Sequence, residues 1–289
     1  MKTLESRLDD YTSYLTLKNF SSNTKAMYLR TIRIFWTFRK AEKIRGRLKQ
    51  EDARKFLLYR IEKGRSWSTI NCDYSALRKY FREVEGLAWS LKKIPRPRKE
   101  QTLPKILSKE DIVRLIEHAP TYKYQVFLTF MYATGMRMSE ALNLRMQDIN
   151  SDRLQIRIEK GKGGKDRYIQ IPDRLLDILR NYYKVYRPKE YLFNGLKAGK
   201  RYSAKGAQWS IKRARELAKI EKKASLHTLR HCYATHHIES GTDLVYLQEQ
   251  LGHKHIKTTA RYVQLCMEHH RHINHPIDQL EIQYRKDLR

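Results

Sequence analysis

The sequence predicts a mainly α-helical protein with one small β-sheet, divided into two domains. Three observations predict this fold class. Apolar residues recur at helical spacing over most of the chain, one segment alternates like a pair of strands around a glycine-rich turn, and a proline-rich charged run separates two parts. The chain has 289 residues, of which 40% are hydrophobic, and this is enough for a core in each of two moderate domains.

The first ninety residues have the pattern of about four helices. In the segment SSNTKAMYLRTIRIFWTFRKAEK, Tyr28, Ile32, Phe35 and Phe38 recur at helical spacing behind a Ser/Asn cap region. The segments QEDARKFLLYRIEKG and SWSTINCDYSALRKYFREVEG behave alike, and each ends at a glycine. Residues 1–91 are therefore predicted to form an N-terminal helical domain.

A linker is predicted at residues 92–105, where the sequence is KKIPRPRKEQTLPK. Its three prolines and dense charge are typical of a connection between domains. A second domain is predicted at residues 106–266, and residues 267–289 are predicted to form a C-terminal tail.

The second domain is predicted to consist of helices around one hairpin. It opens with SKED, a Ser-x-x-Asp cap, and an apolar helix, YQVFLTFMYAT, ends at Gly135. The segment LQIRIEKGKGGKDRYIQI contains two alternating runs around a glycine-rich turn, which predicts a hairpin. Helices resume at Asp173 and after Ser203, and two later helices end at Gly241 and Gly252.

The charge of the chain indicates its partner rather than its fold. The formal net charge is +29 and the pI is about 10.0. Residues 1–104 carry 25 basic and 11 acidic residues and the remainder carries 35 and 20, so both domains are basic. Nucleic acid is favoured over an anionic membrane because no long apolar run or amphipathic anchor stands out. A merely solvated basic surface is the alternative.

Targeting and metal-binding signals are weak. The N-terminal segment MKTLESRLDDYTSYLTLKNF has no apolar signal core, so a cytoplasmic location and no membrane span are expected. Cys72, Cys232 and Cys266 are scattered, and neither a disulfide nor a structural zinc site is expected. A histidine-rich segment, EHHRHINH, suggests a metal site, but its mixed spacing favours a solvated helix face. Its histidines are His269, His270, His272 and His275.

Two segments in the first half of the second domain carry candidate catalytic side chains. The segment ATGMRMSEALNL places Arg137 just after a helix-ending glycine, with Glu140 three residues on, where it can orient the arginine. The turn EKGKGGKDR contains Lys162 among glycines that let the backbone approach a ligand closely. Taken singly, Arg137 is better explained by a helix-start salt bridge and Lys162 by a solvated turn.

Two further segments lie near the end of the chain. The segment LHTLRHCYATHH places His227 and Arg230 on one helix face, and GHKHIKTTARY contains His253 and Tyr262. Three of them have an ordinary structural explanation as well. His227 is typical of a helix N-cap or a core histidine, His253 of a contact after a helix-ending glycine, and Tyr262 of a half-buried tyrosine. Their order along the chain is more informative than any one of them.

Taken together, ATGMRMSE, the glycine-rich lysine hairpin, HTLRHCYATH and LGHKHIKTTARY resemble the tyrosine recombinase family, in particular the Xer recombinases and the phage or transposon integrases. The resemblance covers essentially the whole chain. It implies a SAM-like four-helix core-binding domain followed by an α+β catalytic domain. It also implies a site-specific recombinase that cuts and rejoins DNA through a 3′-phosphotyrosyl intermediate, without metal, ATP or another cofactor.

The resemblance implies a role for each candidate residue. The implied catalytic set is Arg137, Lys162, His227, Arg230, His253 and Tyr262, with Glu140 in support. Tyr262 would be the nucleophile, and the two arginines would clamp the phosphate oxygens. Of the histidines, His227 would accept the tyrosine proton and His253 would donate to the phosphate. The hairpin lysine would protonate the leaving 5′ oxygen. Lys162 is preferred to Lys165 because it lies in the GKG sequence that matches the Xer hairpin.

The resemblance also implies partners. These are double-stranded DNA with paired inverted half-sites, a dimer on each site, a tetrameric synapse, and a tail that docks on a neighbouring protomer. The protein would be nucleoid-associated in the cytoplasm. Two alternatives are a non-catalytic DNA-binding accessory protein, which the filled catalytic positions disfavour, and a type IB topoisomerase-like enzyme that relaxes DNA as a monomer.

Overall fold

The computed structural model describes residues 3–98, 104–159, 166–195 and 199–266. The chain folds as two compact units, Met1–Thr102 and Leu103–Arg289. The mainly α-helical fold with a small antiparallel sheet that the sequence predicts is confirmed.

The described part of the N-terminal unit contains four helices. They are α1 (Leu4–Leu17), α2 (Ser22–Ala41), α3 (Gln50–Glu62) and α4 (Trp67–Glu83). Three of them begin where a hydroxyl caps the helix: Thr3, Ser21 and Ser66 each accept a hydrogen bond from the backbone N–H three residues on. Such caps satisfy N–H groups that have no partner inside the helix.

Aromatic side chains form much of the N-terminal core. The rings of Phe56 and Phe81 lie 5.5 and 5.8 Å from that of Phe35, centroid to centroid, and all three are fully buried. Edge-on and tilted arrangements of this kind are the favoured geometries of aromatic pairs. Ile94 is buried in the same core, so the packing of this unit reaches into the proline-rich segment.

The N-terminal core also encloses two charged pairs. Arg60 donates from Nε to Oδ2 of Asp73 at 2.9 Å, and the Thr31 hydroxyl donates to Oδ1 of the same carboxylate at 2.8 Å. Arg39 lies 3.2 Å from Asp52, again from Nε to Oδ2. Each buried guanidinium of this unit therefore faces one carboxylate.

The second unit surrounds a three-stranded antiparallel sheet in the order β1-β2-β3. The strands are β1 (Ile149–Asn150), β2 (Gln155–Ile158) and β3 (Arg167–Gln170). Ile156 pairs with Ile169 across the predicted hairpin. Strand β1 was not predicted, because two residues that follow a short 3-10 turn are too few to show alternation.

The helices of the second unit include the predicted ones and three short ones. They are α5 (Lys109–Glu117), α6 (Tyr122–Thr134), α7 (Met138–Asn143), α8 (Asp173–Tyr186), α9 (Ala204–Leu217), α10 (Leu226–Glu239), α11 (Leu244–Leu251), α12 (Ile256–Ala260) and α13 (Val263–Cys266). Helix α6 is apolar on all sides because it lies inside the unit, with Phe127 and Phe130 both packed on Phe193. It packs against α10, which places the start of α10 near the end of α6.

Candidate active site

The end of helix α6 brings Arg137 into the site. Gly135 takes the left-handed conformation with φ 57°, and a Cβ there would lie 2.4 Å from the Tyr233 ring, so only glycine fits. The chain then turns, and Arg137 becomes the N-cap of α7. Glu140 accepts both the backbone N–H and Nη1 of Arg137, at 3.0 and 2.9 Å. The sequence spacing anticipated this pairing.

Arg230 is the most deeply buried charge of the site, with 1% of its surface exposed. Its Nη1 donates to the Gly135 carbonyl at 2.7 Å, and its Nη2 donates to the Leu251 carbonyl at 2.7 Å and to Nε2 of His253 at 2.9 Å. Burial, together with the charge of Arg137, lowers the pKa of Arg230 to about 10, so it remains protonated at neutral pH.

The C-terminal end of α11 holds three arginines through three successive carbonyls. The Gln250 carbonyl accepts from Nε of Arg167 at 3.2 Å, and the Gly252 carbonyl accepts from Nη2 of Arg137 at 3.1 Å. Between them, the Leu251 carbonyl accepts from Arg230. Carbonyls at a helix C-terminus lack partners within the helix and carry the negative end of its dipole, so they suit cations.

Gly252, which ends α11, is also constrained by its neighbour. It takes the left-handed conformation with φ 61°, and a Cβ there would lie 2.9 Å from the Arg167 side chain. Any other residue would therefore strain the backbone and displace an arginine of the site.

Arg167 is a site residue that the sequence interpretation missed. Its Nη1 and Nη2 donate to the two oxygens of Glu140 at 3.0 and 2.8 Å, a bidentate pair. Burial acts to raise the pKa of Glu140, but Arg167 and then Arg137 lower it to about 2. The sequence did hold a signal, because strand alternation puts Arg167 on the same face as the buried Ile169.

The contacts of His253 fix its tautomer. Its Nε2 accepts from Arg230, so its proton lies on Nδ1 and is donated to Oγ1 of Thr259 at 2.9 Å. Burial and the neighbouring arginines lower the pKa of His253 to about 3, which leaves the ring neutral. The donation to phosphate that the resemblance implies would require a second proton on this ring.

Tyr262 lies inside this cluster with 5% of its surface exposed. Its ring is nearly parallel to that of His253 at a centroid distance of 6.4 Å. Burial raises the pKa of its phenol, while the charges of Arg230, Arg261 and Arg137 act in the opposite direction. The buried hydroxyl is therefore protonated at neutral pH.

The hydroxyl of Tyr262 contacts a histidine that was not among the predicted residues. Nδ1 of His231 lies 2.9 Å from the phenolic oxygen. His227, the predicted proton acceptor, packs edge-on against the His231 ring with 4.3 Å between centroids. The spacing of four residues places both histidines on one face of α10, and this was the available signal.

Two groups of predicted residues lie in parts of the sequence that the structure does not describe. Lys162 and Lys165 fall within residues 160–165, and the four histidines of EHHRHINH fall after residue 266, so both groups lie outside the described residues. Among the residues that are described, no group of three or more His, Cys, Asp or Glu is placed to hold a metal ion. No helix in the same ranges is long and apolar enough to cross a membrane.

The site carries an excess of positive charge. Among its described residues, three guanidiniums lie close to one carboxylate: Arg137 and Arg167 pair with Glu140, whereas Arg230 contacts two neutral carbonyls and a neutral histidine. Carbonyls satisfy hydrogen-bond donors but do not neutralise charge. The site is thus suited to an anion such as a phosphodiester.

Comparison with known proteins places this arrangement in a family. Residues 105–269 match the phage integrase family, and residues 8–91 match the phage integrase N-terminal SAM-like domain. The fold and the site thus define an integrase-type catalytic domain behind a SAM-like domain. The chain belongs to the phage integrase family.

Individual relatives agree with this assignment. The chain is 37% identical to the integrase/recombinase y4qK of Sinorhizobium fredii, over 87% of this chain and 82% of the relative. It is 35% identical to tyrosine recombinase XerA of Pyrococcus furiosus, over 93% of each. The protein is therefore a site-specific DNA recombinase, an enzyme that cuts and rejoins DNA strands.

Solved structures show the same fold. A lambda integrase dimer bound to a COC′ core site superposes with a TM-score of 0.72 at 18% identity, covering 89% of this chain and 97% of that one. XerH recombinase in a post-cleavage complex with a palindromic difH substrate superposes with a TM-score of 0.71 at 20% identity, covering 92% and 82%.

Proposed function

We propose that this protein recombines DNA through attack of Tyr262 on a phosphodiester held by Arg137 and Arg230. The observation that carries the proposal is the convergence of these three side chains, from distant parts of the chain, in one buried and positively charged cluster. His253, which accepts a hydrogen bond from Arg230, lies 6.4 Å from the Tyr262 ring, centroid to centroid, so a phosphate held by Arg230 would lie close to the phenol.

The arginines supply the electrostatic part of the reaction. Attack on a phosphodiester adds charge to its nonbridging oxygens, and donors already fixed in place stabilise that charge without reorganisation. Arg137 is held by Glu140 and Gly252, and Arg230 by Gly135 and Leu251. A bound phosphate would take over some of these donors, exchanging neutral acceptors for a charged one.

The phenolic oxygen of Tyr262 and the leaving 5′ oxygen of the DNA need opposite proton transfers. The phenol must lose a proton to become nucleophilic, since the reference pKa of tyrosine is about 10. The leaving 5′ oxygen must gain one, and we assign this to Lys162 on the hairpin turn, with Lys165 as the rival. The covalent 3′-phosphotyrosyl ester retains the phosphoester energy, so a 5′ hydroxyl from a second strand reseals the DNA without ATP.

The substrate and assembly follow from the family. We propose duplex DNA with paired inverted half-sites, a dimer on each site and a tetramer at synapsis, with the protein associated with the nucleoid. The lambda integrase dimer on a core site and XerH on a palindromic difH substrate support duplex DNA as the substrate and a dimer on each site. The basic balance of both units supplies sequence-independent affinity, which should weaken steeply as salt rises.

The decisive test replaces the nucleophile alone. Tyr262→Phe should bind labelled half-site DNA normally but form no covalent protein–DNA band on a denaturing gel, because only the hydroxyl is lost. Tyr246→Phe, an exposed tyrosine on α11, is the matched control and should form the band normally. A covalent band from Tyr262→Phe would refute the assignment.

The lysine assignment has its own test. Lys162→Ala should cleave slowly, and a substrate with sulfur in place of the bridging 5′ oxygen should restore much of the rate, because a thiolate leaves without a proton. If Lys165→Ala behaves in this way and Lys162→Ala does not, the roles are exchanged.

The proposed docking of the tail on a neighbouring protomer is tested by truncation. Cys266 packs under α10, and its thiol contacts the carbonyls of Tyr262 and Thr235. The cut should therefore follow Cys266. We expect half-site binding to survive and recombination between paired sites to be lost; normal recombination would show that the tail is dispensable.

A further inference from the structure

The contact between Tyr262 and His231 has no part in the functions assigned so far. The phenolic oxygen and Nδ1 of His231 are 2.9 Å apart, which is an ordinary hydrogen-bond distance. The pair is enclosed, because Tyr262 is buried and the His231 ring is only partly exposed. A group that touches the attacking atom is in a position to take its proton.

The protonation state of His231 fits this role. Burial, then the neighbouring His227 and the charges of Arg230 and Arg261, lower the pKa of His231 to about 4. The ring is therefore neutral at pH 7 and offers one nitrogen lone pair. With the proton of the ring on Nε2, Nδ1 accepts from the Tyr262 hydroxyl.

The other histidines of the site are less well placed. His253 uses Nε2 to accept from Arg230 and Nδ1 to donate to Thr259, so both of its nitrogens are engaged. His227 contacts the His231 ring, and it is His231 that accepts the hydrogen bond of the Tyr262 hydroxyl. The order of contact is thus Tyr262, His231, His227.

We propose that His231 is a further catalytic residue, whose Nδ1 atom accepts the phenolic proton of Tyr262 during cleavage and returns it during rejoining. This inference rests on the proposed function of Tyr262 as the nucleophile. It moves the role of proton acceptor from His227 to His231, the residue that follows Arg230.

The step balances in atoms and charge. As the Tyr262 oxygen bonds to phosphorus, the bond from phosphorus to the 5′ oxygen breaks, the phenolic proton passes to Nδ1, and the 5′ oxygen takes a proton from the lysine of the hairpin. Rejoining reverses each transfer. Proton transfer accompanies formation of the oxygen–phosphorus bond, because a neutral imidazole of low pKa does not deprotonate a free phenol. The negative phosphodiester favours the imidazolium that forms.

The test compares His231→Ala with His237→Ala, a histidine on the same helix that hydrogen-bonds Thr242. Single-turnover formation of the covalent adduct is measured on a labelled half-site. We expect His231→Ala to slow adduct formation about 10²-fold, the lower range for general acid–base catalysis. Half-site affinity should be unchanged, and His237→Ala should react at the normal rate.

A second measurement separates proton transfer from packing. Tyr262 is replaced by difluorotyrosine, whose phenol is more acidic and needs less help from a base. In the His231→Ala background this should restore about tenfold of the lost rate, consistent with Brønsted behaviour. The bridging 5′-sulfur substrate should not restore it, since that substrate relieves only the lysine step.

The outcomes are distinct. A normal rate for His231→Ala, or a defect that difluorotyrosine leaves unchanged, would overturn the inference. If His231→Ala loses half-site binding, His231→Asn replaces it; this variant keeps an acceptor but takes no proton at neutral pH. We expect it to be slow, and a normal rate would show that the hydrogen bond alone suffices. Failure of Tyr262 as nucleophile would appear separately, as an adduct from Tyr262→Phe.

Discussion

Both units of the protein bury arginines, but they balance the charge differently. In the N-terminal unit Arg60 faces Asp73 and Arg39 faces Asp52, one carboxylate for each guanidinium. In the catalytic unit, Arg137 and Arg167 share the carboxylate of Glu140, and Arg230 is held by backbone carbonyls and the neutral His253.

The difference distinguishes a structural use of buried charge from a functional one. A closed pair has no charge left for a ligand, and breaking it leaves an uncompensated ion in the core. An arginine held by carbonyls is oriented but not neutralised, so its charge is available to an anion that enters later. Arginines that are held by hydrogen bonds to neutral groups and so keep an excess of positive charge therefore distinguish the site.

The largest expected effect is on the stability of the N-terminal unit, whose buried arginines are paired with carboxylates. Asp73→Asn keeps the shape of the side chain but leaves Arg60 buried without its counter-ion. The free energy of unfolding should fall by roughly 3–5 kcal/mol, as for other broken buried pairs. Urea titration measures this. Asp177→Asn, which breaks an exposed pair with Arg180, should change stability by less than about 1 kcal/mol. Equal effects of the two variants would contradict the comparison.

The next largest effect is on the rate at which the catalytic unit forms the covalent adduct. Arg230→Lys keeps a positive charge but removes the planar fork that holds two oxygens. Adduct formation by DNA-bound protein should slow about 10²–10³-fold, the usual cost of losing one preorganised donor. Single-turnover gels measure it at saturating protein. Arg213→Lys, on the exposed face of α9, is the control and should react normally. A reaction rate near normal for Arg230→Lys would show that charge alone suffices.

Arg167 should behave as a positioning residue. Arg167→Met leaves Glu140 with one arginine instead of two, so Arg137 is less firmly held. Adduct formation should slow by at most about 10²-fold, the scale of a 1 Å misplacement, with half-site binding intact. A double-mutant cycle with Glu140→Gln tests the path, since the second change should add little to the first if Arg167 acts through Glu140. Additive losses would indicate that Arg167 acts on the DNA directly.

Mild acid should destabilise the catalytic unit more than the N-terminal unit. All 11 histidines of the chain lie beyond residue 117, so the N-terminal unit has none. The folded pKa values of His231 and His253, about 4 and 3, are below the unfolded value, so unfolding takes up protons and stability falls as pH drops below about 6.5. Each contributes at most about 1.4 kcal/mol per pH unit.

Pulse proteolysis with fragment identification at pH 7 and pH 5 measures this separation. The catalytic unit should become cleavable first as pH falls, and the N-terminal unit should change less over the same range. Equal loss from both units would contradict the difference in histidine content as its cause.

The sequence predicted the parts of this architecture that depend on local patterns. Helix ends at Gly135 and Gly252, the hairpin and the pairing of Arg137 with Glu140 all follow from spacing and turn chemistry. Arg167 and His231 left weaker signals, an arginine on the apolar face of a strand and a histidine one helical turn after another. Both were missed because motif matching directs attention to the residues that the motif names.

The contacts made by the end of α11 could not have been predicted from the sequence, for a different reason. The groups that hold Arg167, Arg230 and Arg137 are main-chain carbonyls, which every residue type possesses. Their place is set by how α11 packs against β3 and α10, and that is a property of the tertiary fold. The side chains at 250 and 251 take part in that packing, since Gln250 accepts from the Gln170 N–H of β3 and Leu251 is buried, but neither identifies its carbonyl as an arginine acceptor.

Because the three acceptors at the end of α11 are main-chain carbonyls, their positions depend on the length of the helix more than on the side chains of its outer face. Inserting or deleting one residue within α11 would turn its last carbonyls by about 100° around the helix axis and aim all three away from their arginines together. Substitutions on the outer face of the helix, at Val245 or Tyr246, leave that register untouched. In a deep mutational scan, we expect substitutions on the exposed face of α11 to be tolerated, and insertions or deletions anywhere in the helix to abolish activity.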